Sequence, residues 1–186
     1  MEQWGFRTPT SRTHPISHPT LISQIAWGRV RVKPGIAAID GRTVRFADGT
    51  AEEFDSLIAA TGYTTSLPFL EPALSPVTPG GTGVDLYHRI VHPRLPGLYF
   101  VGFFDVTGGS NVRMMDDQAE YVALMASGRL PRPSEATMRS SIAEESAWNA
   151  AQFPGSARYS LELDPRRSRA LLSAAYRKAG LRSQLG

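Results

Sequence analysis

Phe54-Asp55-Ser56-Leu57-Ile58-Ala59-Ala60-Thr61-Gly62-Tyr63 is a short apolar run that stops at a glycine, and Leu98-Tyr99-Phe100-Val101-Gly102 repeats the pattern. A run of this kind reads as a strand buried on both faces. A glycine at its end lets the backbone turn tightly or approach something closely. Residues 54–60 are therefore predicted to be a strand, with 57–60 buried on both faces, and residues 98–103 a second central strand. In open α/β sheets ligands bind beyond the carboxyl ends of strands, which makes Thr61 and Gly62 a natural ligand position.

The segments around these runs carry their own signals. Residues 20–27 suit a short helix with Thr20 as cap and Gly28 as stop. In residues 29–33, Val30 and Val32 alternate with basic residues, predicting a half-buried strand. Runs at 36–39 and 43–47 flank Asp40-Gly41, and Asp48-Gly49 follows. Asp-Gly between alternating runs is a strong hairpin signal, so these strands and 54–60 form a meander. Residues 87–92 read as a short strand before Pro93. The glycine-rich turn 107–111 then leads into a helix over 112–127, with Met115, Ala119, Val122 and Ala126 on one stripe and Gly128 closing it. Pro131 and Pro133 mark a boundary. Beyond it, Ser134 caps a helix carrying Met138 and Ile142, and Asp164-Pro165 opens a last helix with Leu172, Ala175, Tyr176 and Ala179 before Gly180.

Composition narrows the function classes. The 186 residues contain no cysteine, which excludes disulfides, thiol catalysis and thiolate metal sites and agrees with a cytoplasmic address. No apolar run is long enough to span a membrane, and the N-terminus lacks the basic-then-apolar order of a secretory signal. The net charge is +3, concentrated in residues 158–186, where seven Lys/Arg face only Glu162 and Asp164. Without interleaved aromatic platforms beyond Tyr176, that tail reads as a solvated helix face and not as a nucleic-acid surface. His14 and His18 are four residues apart, but Pro15 and Pro19 forbid the regular helix that would aim both at one metal, so no metal site is expected. His88 and His92, beside prolines, read as structural. No G-x-S-x-G elbow is present and no catalytic side chain stands out.

The order of these pieces resembles the flavin-containing monooxygenase family. Ala60-Thr61-Gly62-Tyr63 is similar to its ATGY segment and Leu98-Tyr99-Phe100-Val101-Gly102 to its LYFVG segment. Ser17-His18-Pro19-Thr20 and Ser156-Ala157-Arg158-Tyr159 extend the likeness over residues 4–180. The resemblance implies an α/β fold of two Rossmann-like dinucleotide-binding domains, of which this chain would be an incomplete, C-terminal portion with a β-meander and a helical tail. Residues 1–63 would complete the NADPH-binding domain and 64–130 the FAD-binding domain, and 131–186 would form the tail. The implied chemistry is reduction of FAD by NADPH, capture of O2 as a flavin C4a-hydroperoxide, and oxygen transfer to a small molecule with a soft nitrogen or sulfur, or to a ketone. Thr61, Gly62, Tyr63, Gly102, Gly108 and Gly109 are the implied cofactor contacts; the helix starting near Val112 would either point its positive end at the flavin or simply be favoured by Asp116 and Asp117 in an acidic first turn. Where many relatives carry Gln-Pro-Leu-Gly, this chain has Phe103-Phe104-Asp105-Val106-Thr107-Gly108.

No G-x-G-x-x-G turn occurs in the chain, although each dinucleotide domain of such an enzyme grips its pyrophosphate on one. Two readings stay open. The chain works with an N-terminal partner chain that carries those turns, or it is a non-catalytic remnant or interaction module. Central strands without neighbours have unpaired edges, so self-association or partner binding is expected.

Overall fold

The computed structural model describes residues 20–61, 65–77, 83–106, 109–152 and 161–182. The protein is a mixed α/β chain of two compact units, Met1–Tyr63 and Thr64–Gly186. His14, His18, Gly62, Tyr63, Gly108 and residues 156–159 lie outside the described residues.

Among the described residues the first element of the first unit is α1 (Leu21–Ala26). It starts after Thr20 and ends before Gly28 at φ +70°, although the Thr20 side chain makes no capping bond. A three-stranded antiparallel sheet follows: β1 (Ile36–Asp40), β2 (Thr43–Phe46) and β3 (Ala51–Glu53), in that order. Asp40 pairs with Thr43, so the hairpin loop is Gly41 and Arg42, one residue later than the Asp-Gly signal suggested. Gly41 takes φ +59° at the first loop position, where this two-residue turn favours glycine. At the second turn the Asp48 carboxylate accepts from the Thr50 hydroxyl (2.7 Å) and amide (2.9 Å), which holds its pKa below the usual carboxylate value. Val44 and Phe46 are the buried residues of the sheet, and the ring of Phe54 meets Phe46 edge-on at 6.2 Å.

Two predicted strands of this unit do not form. Residues 29–33 are irregular, with Val30 and Val32 exposed; Arg31 and Lys33 instead pair with Glu52. The third strand is Ala51–Glu53 and not 54–60, which runs on without a ladder, leaving Leu57 56% and Ile58 88% exposed. A strand buried on both faces draws its hydrogen bonds and its cover from neighbours. Among the described residues this segment has the Phe46 ring against Phe54, the bond from Phe54 N to Arg42 O, the Arg42–Asp55 ion pair and a local bond from Ala60 N to Ile58 O, but no strand beside it.

The second unit holds the larger core: Tyr87, Ile90, Val91, Tyr121, Met125, Leu130, Met138, Leu172 and Tyr176. Its elements are a 3-10 turn (Pro72–Leu74), β4 (Asp105–Val106), α2 (Asn111–Ala126), α3 (Glu135–Gln152), β5 (Glu162–Leu163) and α4 (Pro165–Lys178). β4 and β5 pair in parallel. The helix starts follow local chemistry. Ser110 accepts from Arg113 N, Ser134 from Thr137 N, and Asp164 from Arg167 N with Pro165 at the first helical position. Gly128 and Gly180, at φ +73° and +70°, end α2 and α4.

Residues 87–92 are a tight turn and not a strand. Tyr87 and Val91 exchange backbone bonds at 3.0 Å, while His88 and Arg89 take φ +54° and +60°. Left-handed backbone at two adjacent non-glycine residues costs about 1–2 kcal/mol each, so tertiary contacts must hold it. Arg89, 3% exposed, donates to Glu145 (2.8 Å) and to the Glu162 carbonyl (3.3 Å), and His88 lies against the Tyr87 ring. Residues 98–103 are likewise not a strand. They bond to this turn through a Val91–Tyr99 bridge and from Phe100 N to Ile90 O (2.7 Å), and Val101 is 48% exposed.

The buried face of α2 is Met114, Asp117, Gln118, Tyr121 and Met125, rotated from the predicted Met115, Ala119, Val122 and Ala126 stripe. Two polar residues sit on that face because each has a partner waiting for it, described below. The basic tail is not wholly a solvated face. Arg167 stacks over Trp148 (5.2 Å to the ring) and Arg169 reaches Asp117, while Arg166, Arg177, Lys178 and Arg182 are exposed.

Candidate functional site

Of the six predicted contact residues, three lie among the described residues. Thr61 is exposed at the end of the first unit. Gly102 and Gly109 belong to the second unit, at the two ends of a loop that leads into α2. Gly102 takes φ +79°, and a Cβ there would sit 3.3 Å from Met115 Cε. Gly109 takes φ +102° and is exposed, and among the described residues a Cβ there would meet Pro165 Cγ at 3.8 Å. Both conformations are ones that L side chains rarely adopt.

The loop is fastened at three points. Asp105 N donates to Leu161 O (2.8 Å) where β4 meets β5, and Val106, Met114 and Leu163 form a small core with Phe104 packed on it. Gly102 N donates to Gln118 Oε1 (2.9 Å). Ser110 caps α2. The first turn of α2 is open to solvent, with Val112 68% exposed and Met115, one turn on, 38% exposed. The positive end of the helix macrodipole thus lies beside exposed apolar side chains, an arrangement that favours a group carrying negative charge.

Charges brace the edge from behind. Arg169 Nε on α4 donates to Asp117 Oδ2 (2.7 Å), and Arg113 Nε in the first turn lies 3.6 Å from Asp117 Oδ1. Asp117 is 4% exposed and Arg113 49%. Reasoning from sequence put Asp117 in an acidic first turn and Arg169 on a solvated face, whereas the first turn of α2 holds no acid and the two residues pair, and it missed Gln118. A signal was available, because Gln118 falls on the helical repeat of Met114, Tyr121 and Met125.

The histidines serve the turn. His92 Nδ1 accepts from Arg94 N (3.2 Å) and Leu95 N (3.0 Å), and its carbonyl accepts from Arg132 (3.1 Å). Burial, then the Arg94 charge, hold its pKa below the ordinary value. His88 is 6% exposed, its Nδ1 has no partner, and burial pushes its pKa down to about 4. It borders a cavity of about 10 Å³, room for one water, with Glu145, Trp148, Asn149 and Arg167. Tyr87, Tyr121 and Tyr176 all have raised pKa values, chiefly through burial.

A family profile described as FMO-like, flavin-binding monooxygenase-like, matches residues 3–164. The chain belongs to this flavin-binding monooxygenase-like family. It is 35% identical over 133 residues to dimethylaniline monooxygenase [N-oxide-forming] 2 of Rattus norvegicus, covering 70% of this chain and 24% of that protein. It is 32% identical over 129 residues to trimethylamine monooxygenase of Roseovarius sp. (strain 217), covering 68% and 28%. The solved structure of S-allyl-L-cysteine S-oxygenase from Allium sativum shares the fold at a TM-score of 0.56 and 22% identity, over 79% of this chain and 33% of that one. This family member thus spans about a quarter of the length of the curated relatives it matches. Among the described residues no helix is long and apolar enough to cross a membrane.

Proposed function

We propose that this chain is the C-terminal portion of an FAD- and NADPH-dependent monooxygenase, an incomplete two-dinucleotide-binding, Rossmann-like flavoprotein. Its oxygen goes from O2 to a soft nitrogen or sulfur of a small molecule, or beside a ketone. The observation that carries the reading is the Gly102-to-Asn111 edge, two positive-φ glycines opening onto the exposed first turn of α2 within the stretch matched by the family profile. The residues fit a flavin there: Gly109 leaves the backbone bare, Val101, Val112 and Met115 offer apolar cover, and the helix end favours negative charge. Gly108, Thr61, Gly62 and Tyr63 complete the set of cofactor contacts that the family resemblance implies. A bound flavin supplies the redox and oxygen-activating chemistry. The chain's part is to orient the ring, exclude water and stabilise charge through Arg113 and the α2 amides.

The test is a graft in which residues 3–164 replace the matched stretch of the Roseovarius trimethylamine monooxygenase. NADPH-driven oxygen uptake with trimethylamine or dimethyl sulfide supports the reading. A folded, flavin-loaded graft that oxidises NADPH without oxygenating either amine or sulfide refutes the proposed substrate class.

A second reading, a non-catalytic module that binds a partner polypeptide, is favoured by the exposure of Leu57 and Ile58 in a segment without a ladder. Sedimentation of the purified chain tests it. A monomer that captures no complementary family fragment counts against it.

A further inference from the structure

We infer that Gln118 is a positioning residue, a side-chain clamp that holds the backbone of Gly102 in its left-handed conformation at the edge of α2. The inference rests on the cofactor-edge reading for its purpose and on the geometry for its existence. After Phe100 N bonds to Ile90 O, the backbone leaves the turn it was paired with, and Gly102 at φ +79° donates its N–H to the Gln118 carboxamide at 2.9 Å. Met115, one helical turn earlier on α2, presses its methyl to within 3.3 Å of where a Gly102 Cβ would be. The two side chains, three residues apart, therefore grip one backbone position.

Gln118 is fully buried, and its Nε2 has no hydrogen-bond partner. A buried amide donor left unsatisfied costs stability, and an apolar side chain of the same length would avoid that cost. For packing alone, methionine would serve at least as well at this position, flanked as it is by Met114, Tyr121 and Met125 on the buried face. What methionine lacks is an acceptor of carbonyl strength for Gly102. The clamp is therefore a local device for the loop and not a support for the core.

The experiment uses the full chain and amide hydrogen exchange resolved by NMR. In Gln118→Met, Gly102 N–H should exchange at least tenfold faster, while the amides of Tyr121 and Met125 keep their rates and the melting temperature holds or rises. In Gln118→Glu, whose Oε still accepts, Gly102 protection should stay within about twofold of wild type. Unchanged Gly102 exchange in Gln118→Met overturns the clamp. So does acceleration spread evenly along α2, which would mean a structural role only. Should Gln118→Met fail to fold, Gln118→Glu losing Gly102 protection while folded overturns it as well. The measurement contains no flavin, so a flavin-free graft would sink the cofactor reading and leave the clamp standing.

Discussion

Acid should weaken the second unit through one side chain, His88. The imidazole is 6% exposed, packed against Tyr87 and Tyr121, and has no partner for Nδ1. Its folded pKa is therefore lowered, from 6.5 to about 4. A lowered histidine pKa means that the unfolded chain takes up the proton first. The stabilisation is present in full above about pH 6.5, declines as the pH falls, and is gone near pH 4. At about 1.4 kcal/mol for each pH unit, the fall amounts to about 3 kcal/mol. The control is His88→Asn, since asparagine tolerates left-handed backbone at φ +54° and does not titrate. Urea unfolding followed by circular dichroism at 222 nm reads this unit, because α2, α3 and α4 all belong to it. Other carboxylates and histidines titrate alike in both proteins, so the difference between them isolates His88. That difference should shrink by about 3 kcal/mol between pH 7 and pH 4. Parallel curves would refute the reasoning and mean that His88 finds a partner or a water that accepts its proton.

Other substitutions probe the scaffold of the edge. Asp117→Ala should cost about 2 kcal/mol in urea unfolding, less than a wholly buried pair because Arg169 is 33% exposed; no loss would mean that the pair is incidental. Asp164→Ala removes the cap on Arg167 N and should cost about 1 kcal/mol, read as a lower melting temperature. Gly102→Ala forces a Cβ toward Met115 at φ +79°, should cost about 1–2 kcal/mol, and should lower flavin retention in the graft. Retention equal to the parent graft would remove Gly102 from the cofactor edge.

What could be read from the sequence was local. The helix starts at Ser134 and Asp164-Pro165 and the stops at Gly28, Gly128 and Gly180 follow from capping chemistry that neighbouring residues carry themselves. The first hairpin of the meander was legible for the same reason, with a one-residue shift at Gly41, whereas its third strand is Ala51–Glu53. Residues 54–60 and 98–103 were not, because a strand exists only with partners, and the described residues give the first no ladder and the second only bridges to the 87–91 turn. The turn at His88 and Arg89 was hidden because distant Glu145 and Glu162 hold it. The edge at α2 was half legible: its glycines and the helix behind them stood out, whereas the buried face was misread. Asp117 and Gln118 look like surface residues until Arg169 and Gly102, 52 and 16 positions away, come to meet them.

The flavin content of the purified graft tests the central claim most directly. Absorbance at 450 nm against protein concentration should give close to one FAD per chain, with the parent enzyme measured alongside, if residues 3–164 supply a cofactor edge. A graft that folds cooperatively yet carries no FAD, and takes up none when it is added, would contradict the account.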